Sequence, residues 1–165
     1  MPATPYFSDL DDELAATRRV LERYPDGKGA WRPHARSRTL AQLATHVADL
    51  PTRATSILTT DVVDVASRTP KPTLDSAAAL LAAFDAAAAE AKATVARASD
   101  PDLEREWTMK AGERVLARGK KRELVRRIML SHMIHHRAQL GTYYRQLDVP
   151  VPGVYGPSAD DAPPR

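Results

Sequence analysis

Histidine is the residue type that could carry chemistry in this sequence. The chain has 165 residues, among them five histidines and no cysteine. Without cysteine it has no disulfide, no thiolate nucleophile and no Cys-ligated metal site. His132 and His136 lie in the stretch LSHMIHHRAQL, one helical turn apart and about 40° from each other around a helix axis. Both are predicted near the middle of the apolar stripe of that helix. Two imidazoles at this spacing can bind one metal ion from one helix face. His34 lies in a loop and is interpreted as solvated.

His46 is the third candidate ligand. It belongs to the stretch SRTLAQLATHVADL and lies about 70° from the centre of that helix's apolar stripe, at the margin of the buried face. Three histidines from two facing helices would leave coordination positions open for water or substrate. Asp49, one turn further on, is expected to orient His46 through a hydrogen bond. Spacing alone leaves a second interpretation open, in which these are core histidines bonded to carbonyl or carboxylate groups.

Other polar side chains on the last helix are expected to have structural roles. His135 lies about 100° from the histidine that follows it and is expected at the rim of the site. Arg137 is expected on the polar side of the helix, and Gln139 is expected to form amide hydrogen bonds between helices. Tyr143 is predicted to point inward and Tyr144 towards the edge of the apolar stripe.

Four helices are predicted to position these residues. The spacing of apolar residues predicts helices over 8–24, 39–58, 74–98 and 121–147, and Pro51 kinks or divides the second. Before the last helix, the turn AGE at 111–113 lies between short segments that favour a hairpin. The expected fold class is all-α, a four-helix bundle with a short irregular or hairpin insertion before the last helix. We expect one domain over 1–165, with a proline-rich tail from about residue 150.

Charge and hydropathy narrow the functional classes. Lys and Arg number 24 against 21 Asp and Glu, and the longest apolar run, 77–84, is far shorter than the roughly 20 residues that span a bilayer. With no signal-peptide pattern at the N-terminus, we expect a cytoplasmic protein without membrane contact. Seven basic residues between 114 and 127 would favour phosphates. No recognition motif or interleaved aromatic residue accompanies them, so nucleic-acid binding is the weaker hypothesis and a solvated face the preferred one.

Three segments resemble the DinB-like (damage-inducible) metalloprotein superfamily. They are the loop WRP, the stretch SRTLAQLATHVADL and, most specifically, HMIHHRAQLGTYYRQLDVPVPGVYGPSAD at 132–160. Members of this superfamily are four-helix bundles with three metal-binding histidines, one on the second helix and two in an HxxxHRGQL motif. Carried over onto this chain, the resemblance implies that His46, His132 and His136 are the metal ligands. Ala138 stands where the family usually has glycine.

The resemblance also implies a divalent metal, usually zinc or nickel, and in some relatives a low-molecular-weight thiol. We therefore expect a metal-dependent enzyme that activates a water or a small thiol against an electrophilic small molecule, of S-transferase, isomerase or hydrolase type. Because the chain has no cysteine, any sulfur would arrive with a cosubstrate. Relatives often dimerise, so a homodimer is expected. The alternative is a non-catalytic, metal-stabilised stress or interaction protein, which the sequence does not distinguish from an enzyme.

Overall fold

Helices form most of the frame that carries the histidines. The computed structural model describes residues 4–161. Its α-helices are α1 (Leu10–Leu21), α2 (Leu40–Asp49), α3 (Thr52–Thr59), α4 (Ala77–Arg97), α5 (Asp100–Glu104), α6 (Lys121–Val125) and α7 (His132–Gln146). α4 packs against α1, α2 and α3, while α7 packs against α1 and α2. The last helix therefore faces α2, the helix that carries His46.

The second predicted helix is divided in two. At the start of α2, Thr39 and Gln42 form a capping box: the Thr39 hydroxyl accepts from the Gln42 N–H and the Gln42 side chain accepts from the Thr39 N–H. Pro51 lies between α2 and α3, because proline has no N–H to continue the helical ladder. This break confirms the division predicted at Pro51.

The alanine-rich helix α4 buries one face against α1, α2 and α3 and exposes the other. The Ser76 hydroxyl caps it by accepting from the Ala79 N–H at 3.2 Å. Leu80 and Phe84 supply most of its buried bulk, and Ala91 is fully buried between them and Val95. Small side chains on this face let three neighbouring helices approach closely.

A three-stranded mixed sheet packs beside the helices, so the all-α four-helix bundle predicted from the sequence is wrong. The strands are β1 (Val62–Asp64), β2 (Glu106–Ala111) and β3 (Arg114–Lys120), in the order β1-β2-β3. β2 and β3 pair antiparallel and form the hairpin indicated at 111–113, with Gly112 in the left-handed region at φ 58°. β1 pairs in parallel with β2. Three residues are too few to show the alternating pattern of a strand, and the partner of β1 lies far along the chain.

The last helical segment is continuous from 121 to 146 but is not α-helical throughout. Between α6 and α7 the backbone forms a π-helical turn, Arg126–Ser131, which holds more residues per turn than an α-helix. Upstream of it, Leu124 and Val125 are buried, and downstream the buried positions are Met133, Arg137, Leu140 and Tyr144.

This π-turn changes the face that α7 buries. The downstream buried positions come about one residue later than an uninterrupted α-helix would place them, a rotation of roughly 100°. His132 and His136 are therefore half-buried at the side of the core, whereas the sequence predicted them at the middle of the apolar stripe. The same rotation reverses the burial predicted for two tyrosines. Tyr144 is fully buried, and Tyr143 is only half-buried.

Arg137, expected on the polar side of the helix, is also carried into the core by this rotation and is 3% exposed. Its guanidinium lies 2.7 Å from the buried Glu13 carboxylate of α1. The Tyr155 hydroxyl accepts from Arg137 at 2.7 Å and donates to Glu13 at 2.8 Å. The proline-rich tail is thereby attached to both α1 and α7.

None of the helices between residues 4 and 161 is long and apolar enough to cross a lipid bilayer.

Candidate metal centre

Three histidine rings meet between α2 and α7. The Nε2 atom of His132 lies 2.8 Å from Nε2 of His136 and 3.3 Å from Nε2 of His46. Ring centroids are 4.6–5.0 Å apart in all three pairs. One ligand nitrogen from each ring lies within 4.8 Å of the other two, so the three residues could hold one metal ion.

The spacing of these nitrogens suits a common ion. Nitrogens that bind one zinc at about 2.0–2.1 Å, with angles of roughly 90–110° between them, lie about 2.8–3.4 Å apart. The two Nε2 separations that involve His132, 2.8 and 3.3 Å, fall in this range. Three neutral imidazoles are donors suited to zinc, nickel, copper and iron and are poorly matched to calcium or magnesium.

Hydrogen bonds hold the outer ring nitrogens of two of the histidines. His136 Nδ1 lies 2.7 Å from Gln139 Oε1. Because an amide oxygen only accepts, Nδ1 carries the proton and Nε2 presents a lone pair to the centre of the cluster. The His132 ring hydrogen-bonds the backbone of Ile128 in the π-turn. Such partners fix the tautomer and the orientation of a ligating imidazole. The sequence predicted that Gln139 would join two helices by amide hydrogen bonds. In the structure its side chain instead bonds His136 on the same helix.

Asp49 does not orient His46. Its carboxylate lies 3.1 Å from the Arg53 guanidinium and also pairs with Lys71. The expectation failed because two cations, one on α3 and one in the loop that follows, lie within reach of the carboxylate that α2 presents. The position of His46 is set by the packing of α2 against α7.

All three imidazoles favour the neutral form. Burial, together with the charge of Arg38 and the two neighbouring histidines, lowers the pKa of His46 to about 4. Burial likewise lowers the pKa of His132 and of His136, in each case against a hydrogen bond that raises it. Near neutral pH each ring is therefore neutral, with one protonated nitrogen and one lone pair, the state in which imidazole binds a metal.

Two cavities border the histidines. A polar cavity of about 910 Å³ lies along α2, α3 and the loop 68–73, and its lining includes His46, Arg38 and Asp49. A second cavity of about 390 Å³ is lined by His46 and His132 together with a largely apolar wall. Both volumes are typical of small-molecule sites. Both cavities reach the histidine cluster at His46.

The remaining histidines lie outside the cluster. His135 is exposed, with its ring centroid 4.9 Å from that of His136, in agreement with the rim position predicted for it. His34 is exposed in its loop, where its Nδ1 accepts from the Arg36 N–H at 3.1 Å. Arg38 was missed by sequence reasoning: it acts electrostatically on all three clustered histidines, yet it precedes α2 in a loop and belongs to no periodic pattern.

The basic run 114–127 is largely neutralised by acids. Four of its seven cations lie 2.5–2.7 Å from carboxylate oxygens, in the pairs Arg118–Glu106, Lys120–Glu104, Arg122–Glu104 and Arg126–Asp9. A fifth, Lys121, is buried and donates to the Leu58 carbonyl. Cations already paired within the protein have little left to offer a phosphate backbone. This surface therefore does not support the nucleic-acid hypothesis.

The fold and the cluster together define a mainly helical protein with a mixed sheet at one side and three histidines that could hold a metal ion. The profile of the DinB family matches residues 2–165. The chain belongs to the DinB family.

A comparison of structures agrees with this assignment at the level of the fold. The crystal structure of a DinB-like protein from Bacillus subtilis, YjoA, is similar with a TM-score of 0.67. The two sequences are 18% identical, and the match covers 88% of this chain and 96% of the other. A search of curated proteins finds no match.

Proposed function

We propose that this protein is a divalent-metal-dependent enzyme in which His46, His132 and His136 hold the ion, zinc or nickel. The observation that carries the proposal is the approach of three Nε2 atoms to separations of 2.8 and 3.3 Å. The rings are neutral, and those of His46 and His132 line cavities. When bound, such an ion lowers the pKa of a water or a thiol so that a nucleophile exists at neutral pH.

The protein's own residues would supply the surroundings for this chemistry. Gln139 and the Ile128 backbone orient two of the ligands, and burial keeps all three rings neutral. Arg38 brings a positive charge near the cluster, which favours an anionic nucleophile such as a hydroxide or a thiolate. Because the chain contains no cysteine, a thiol reaction would use a small thiol as a cosubstrate, and the cavities offer space for two reactants.

The second candidate is a metal-stabilised stress or interaction protein without catalysis. It is favoured by the burial of the imidazoles between two helices, since an ion bound there would join α2 to α7 and stabilise the fold. The homodimer and the cytoplasmic location stay predictions, to be checked by light scattering of the purified protein and by cell fractionation.

The test begins with elemental analysis of protein purified without a histidine tag. We expect about one equivalent of zinc or nickel per chain, lost in His46→Ala and in His132→Ala. His135→Ala is the matched control, because this exposed neighbour lies outside the cluster, and it should keep its metal. Circular dichroism shows whether each variant is folded. Absence of metal from folded parent protein, even after incubation with zinc or nickel, would refute the proposal.

Turnover separates the two candidates. The metal-loaded protein is assayed with a panel of electrophiles, with and without small thiols, and with carboxylic esters. Turnover that disappears in His132→Ala but not in His135→Ala supports an enzyme. Metal binding that raises the melting temperature, without turnover of any electrophile in the panel, supports the non-catalytic protein.

A further inference from the structure

The smaller of the two cavities has a wall that a four-helix bundle would not provide. Trp107 and Met109 are two residues apart on β2 and face the same side of the sheet. Val65, directly after β1, also lines the cavity. Ile57 of α3 and Ile128 of the π-turn complete the apolar surface. The sheet therefore closes a cavity of about 390 Å³ against the helices.

At one place this apolar cavity meets the histidine cluster, since His46 and His132 contribute to its lining. A ligand held against the apolar wall would thus lie beside the residues that could bind a metal. The cavity could select which molecules reach the cluster.

The charged residues that line this cavity are all cations. They are Arg53, Arg68 and Arg127, and no acidic side chain lines it. Arg53 is already paired with Asp49 at 3.1 Å. Arg68 and Arg127 are exposed, and among the residues that the structure describes neither side chain forms an ion pair or a hydrogen bond. This contrasts with the paired cations that precede Arg127 in the basic run.

Two unpaired guanidinium groups beside an apolar surface match one kind of ligand. A guanidinium binds a carboxylate or phosphate through two parallel hydrogen bonds. The apolar wall gains free energy only when it is covered by an apolar group. A simple inorganic anion would leave the wall in water, and a neutral apolar molecule would leave the guanidinium groups without a partner.

We propose that this cavity binds a small amphipathic organic anion, whose apolar body lies against Trp107 and Ile128 and whose carboxylate or phosphate meets Arg68 and Arg127. This inference adds a substrate class to the proposed function. It rests on that function only where it takes the bound anion to be a substrate. Binding itself uses the arginines and the apolar wall and does not need the ion.

The experiment compares four probes that share parts of this chemistry: 4-phenylbutyrate, 4-phenylbutanol, 4-phenylbutylamine and acetate. Their affinities are measured by isothermal titration calorimetry on metal-free protein and on protein incubated with zinc. We expect 4-phenylbutyrate to bind at least about tenfold more tightly than each of the other three. A phenylalkyl phosphate, added as a fifth probe, distinguishes the two anion types.

Arginine variants test the contacts. Because Arg68 and Arg127 are exposed, we expect each alanine variant to weaken 4-phenylbutyrate by about three- to fivefold, and the double variant by more. Arg114→Ala is the matched control: Arg114 is exposed, lies in the same basic run and lines neither cavity. It should leave the affinity unchanged, and acetate should bind weakly to every variant.

The inference is overturned if 4-phenylbutanol binds as tightly as 4-phenylbutyrate, or if both arginine variants keep the parent affinity. It is also overturned if 4-phenylbutyrate binds only in the presence of zinc, because the ion and not the arginines would then hold the anion. Metal-free protein that binds 4-phenylbutyrate in an arginine-dependent way, but binds neither zinc nor nickel, would refute the proposed function and leave this inference standing.

Discussion

Gln139→Ala tests how the cluster is prepared for a metal. The Gln139 side chain is exposed and its oxygen accepts from His136 Nδ1 at 2.7 Å. Loss of a hydrogen bond that orients a ligating histidine typically weakens metal affinity by roughly 10–100-fold. Since water can reach this position and replace the amide oxygen, we expect the lower end, about tenfold, which corresponds to about 1.4 kcal/mol.

The substitution should act in opposite directions on the two forms of the protein. Alanine is the better helix former at an exposed position, so the metal-free variant should be as stable as the parent or more stable by a few tenths of a kcal/mol. At a fixed, saturating concentration of free zinc, a tenfold loss of affinity lowers the free energy of unfolding by about 1.4 kcal/mol. For a domain of this size the melting temperature should fall by roughly 3–6 °C.

Competition with a chromogenic zinc chelator measures the affinity, and thermal melts with and without zinc measure the stability. Gln146→Ala is the matched control, an exposed glutamine at the end of the same helix, and should change neither. Gln139→Glu keeps an acceptor and should keep the affinity. A Gln139→Ala protein whose zinc affinity stays within about twofold of the parent would refute the argument that this hydrogen bond prepares His136.

Three further predictions concern stability. Burial lowers the pKa of His46 to about 4 from an ordinary 6.5, so between these pH values the unfolded chain binds more protons than the folded protein. In urea titrations of metal-free protein, the free energy of unfolding should therefore rise from about pH 4 to pH 6.5 and stay level above pH 6.5. Arg137→Met leaves the buried Glu13 carboxylate without a cation and should lower the free energy of unfolding by about 3–5 kcal/mol in urea denaturation. Adding Glu13→Leu should restore most of this loss. Gly29→Ala would place a methyl group on the Asp75 carboxylate, which accepts from the buried Tyr24 hydroxyl at 2.5 Å. We expect the free energy of unfolding to fall by about 1–3 kcal/mol in the same assay. An unchanged urea midpoint would contradict this prediction.

The sequence predicted those parts of the fold that depend on local pattern. Helical spacing placed α1, α4 and the last helix, and the missing N–H of Pro51 divided the second. A glycine turn indicated the β2–β3 hairpin. The parallel strand β1 could not be predicted, because it is stabilised by a partner more than forty residues away and not by its own three residues.

The candidate site was predictable to the same extent. The i, i+4 spacing and the family resemblance selected His46, His132 and His136, which the structure brings together. The surroundings of these residues were not predictable. Gln139, Arg137 and Tyr144 were assigned by carrying one helical phase through the whole last helix, and the π-turn changes that phase. Arg38 acts through a loop, where no periodicity applies.

The π-turn at Arg126–Ser131 also has a consequence for how relatives of this protein should be aligned. It amounts to one residue more than a straight α-helix would hold, inserted just before the histidine pair. A relative that lacks this residue would need a one-position gap here, and an ungapped alignment would match its core residues with the histidines of this chain. Deleting one residue from the turn should accordingly turn His132 and His136 away from His46, while the count and order of the histidines in the sequence stay the same.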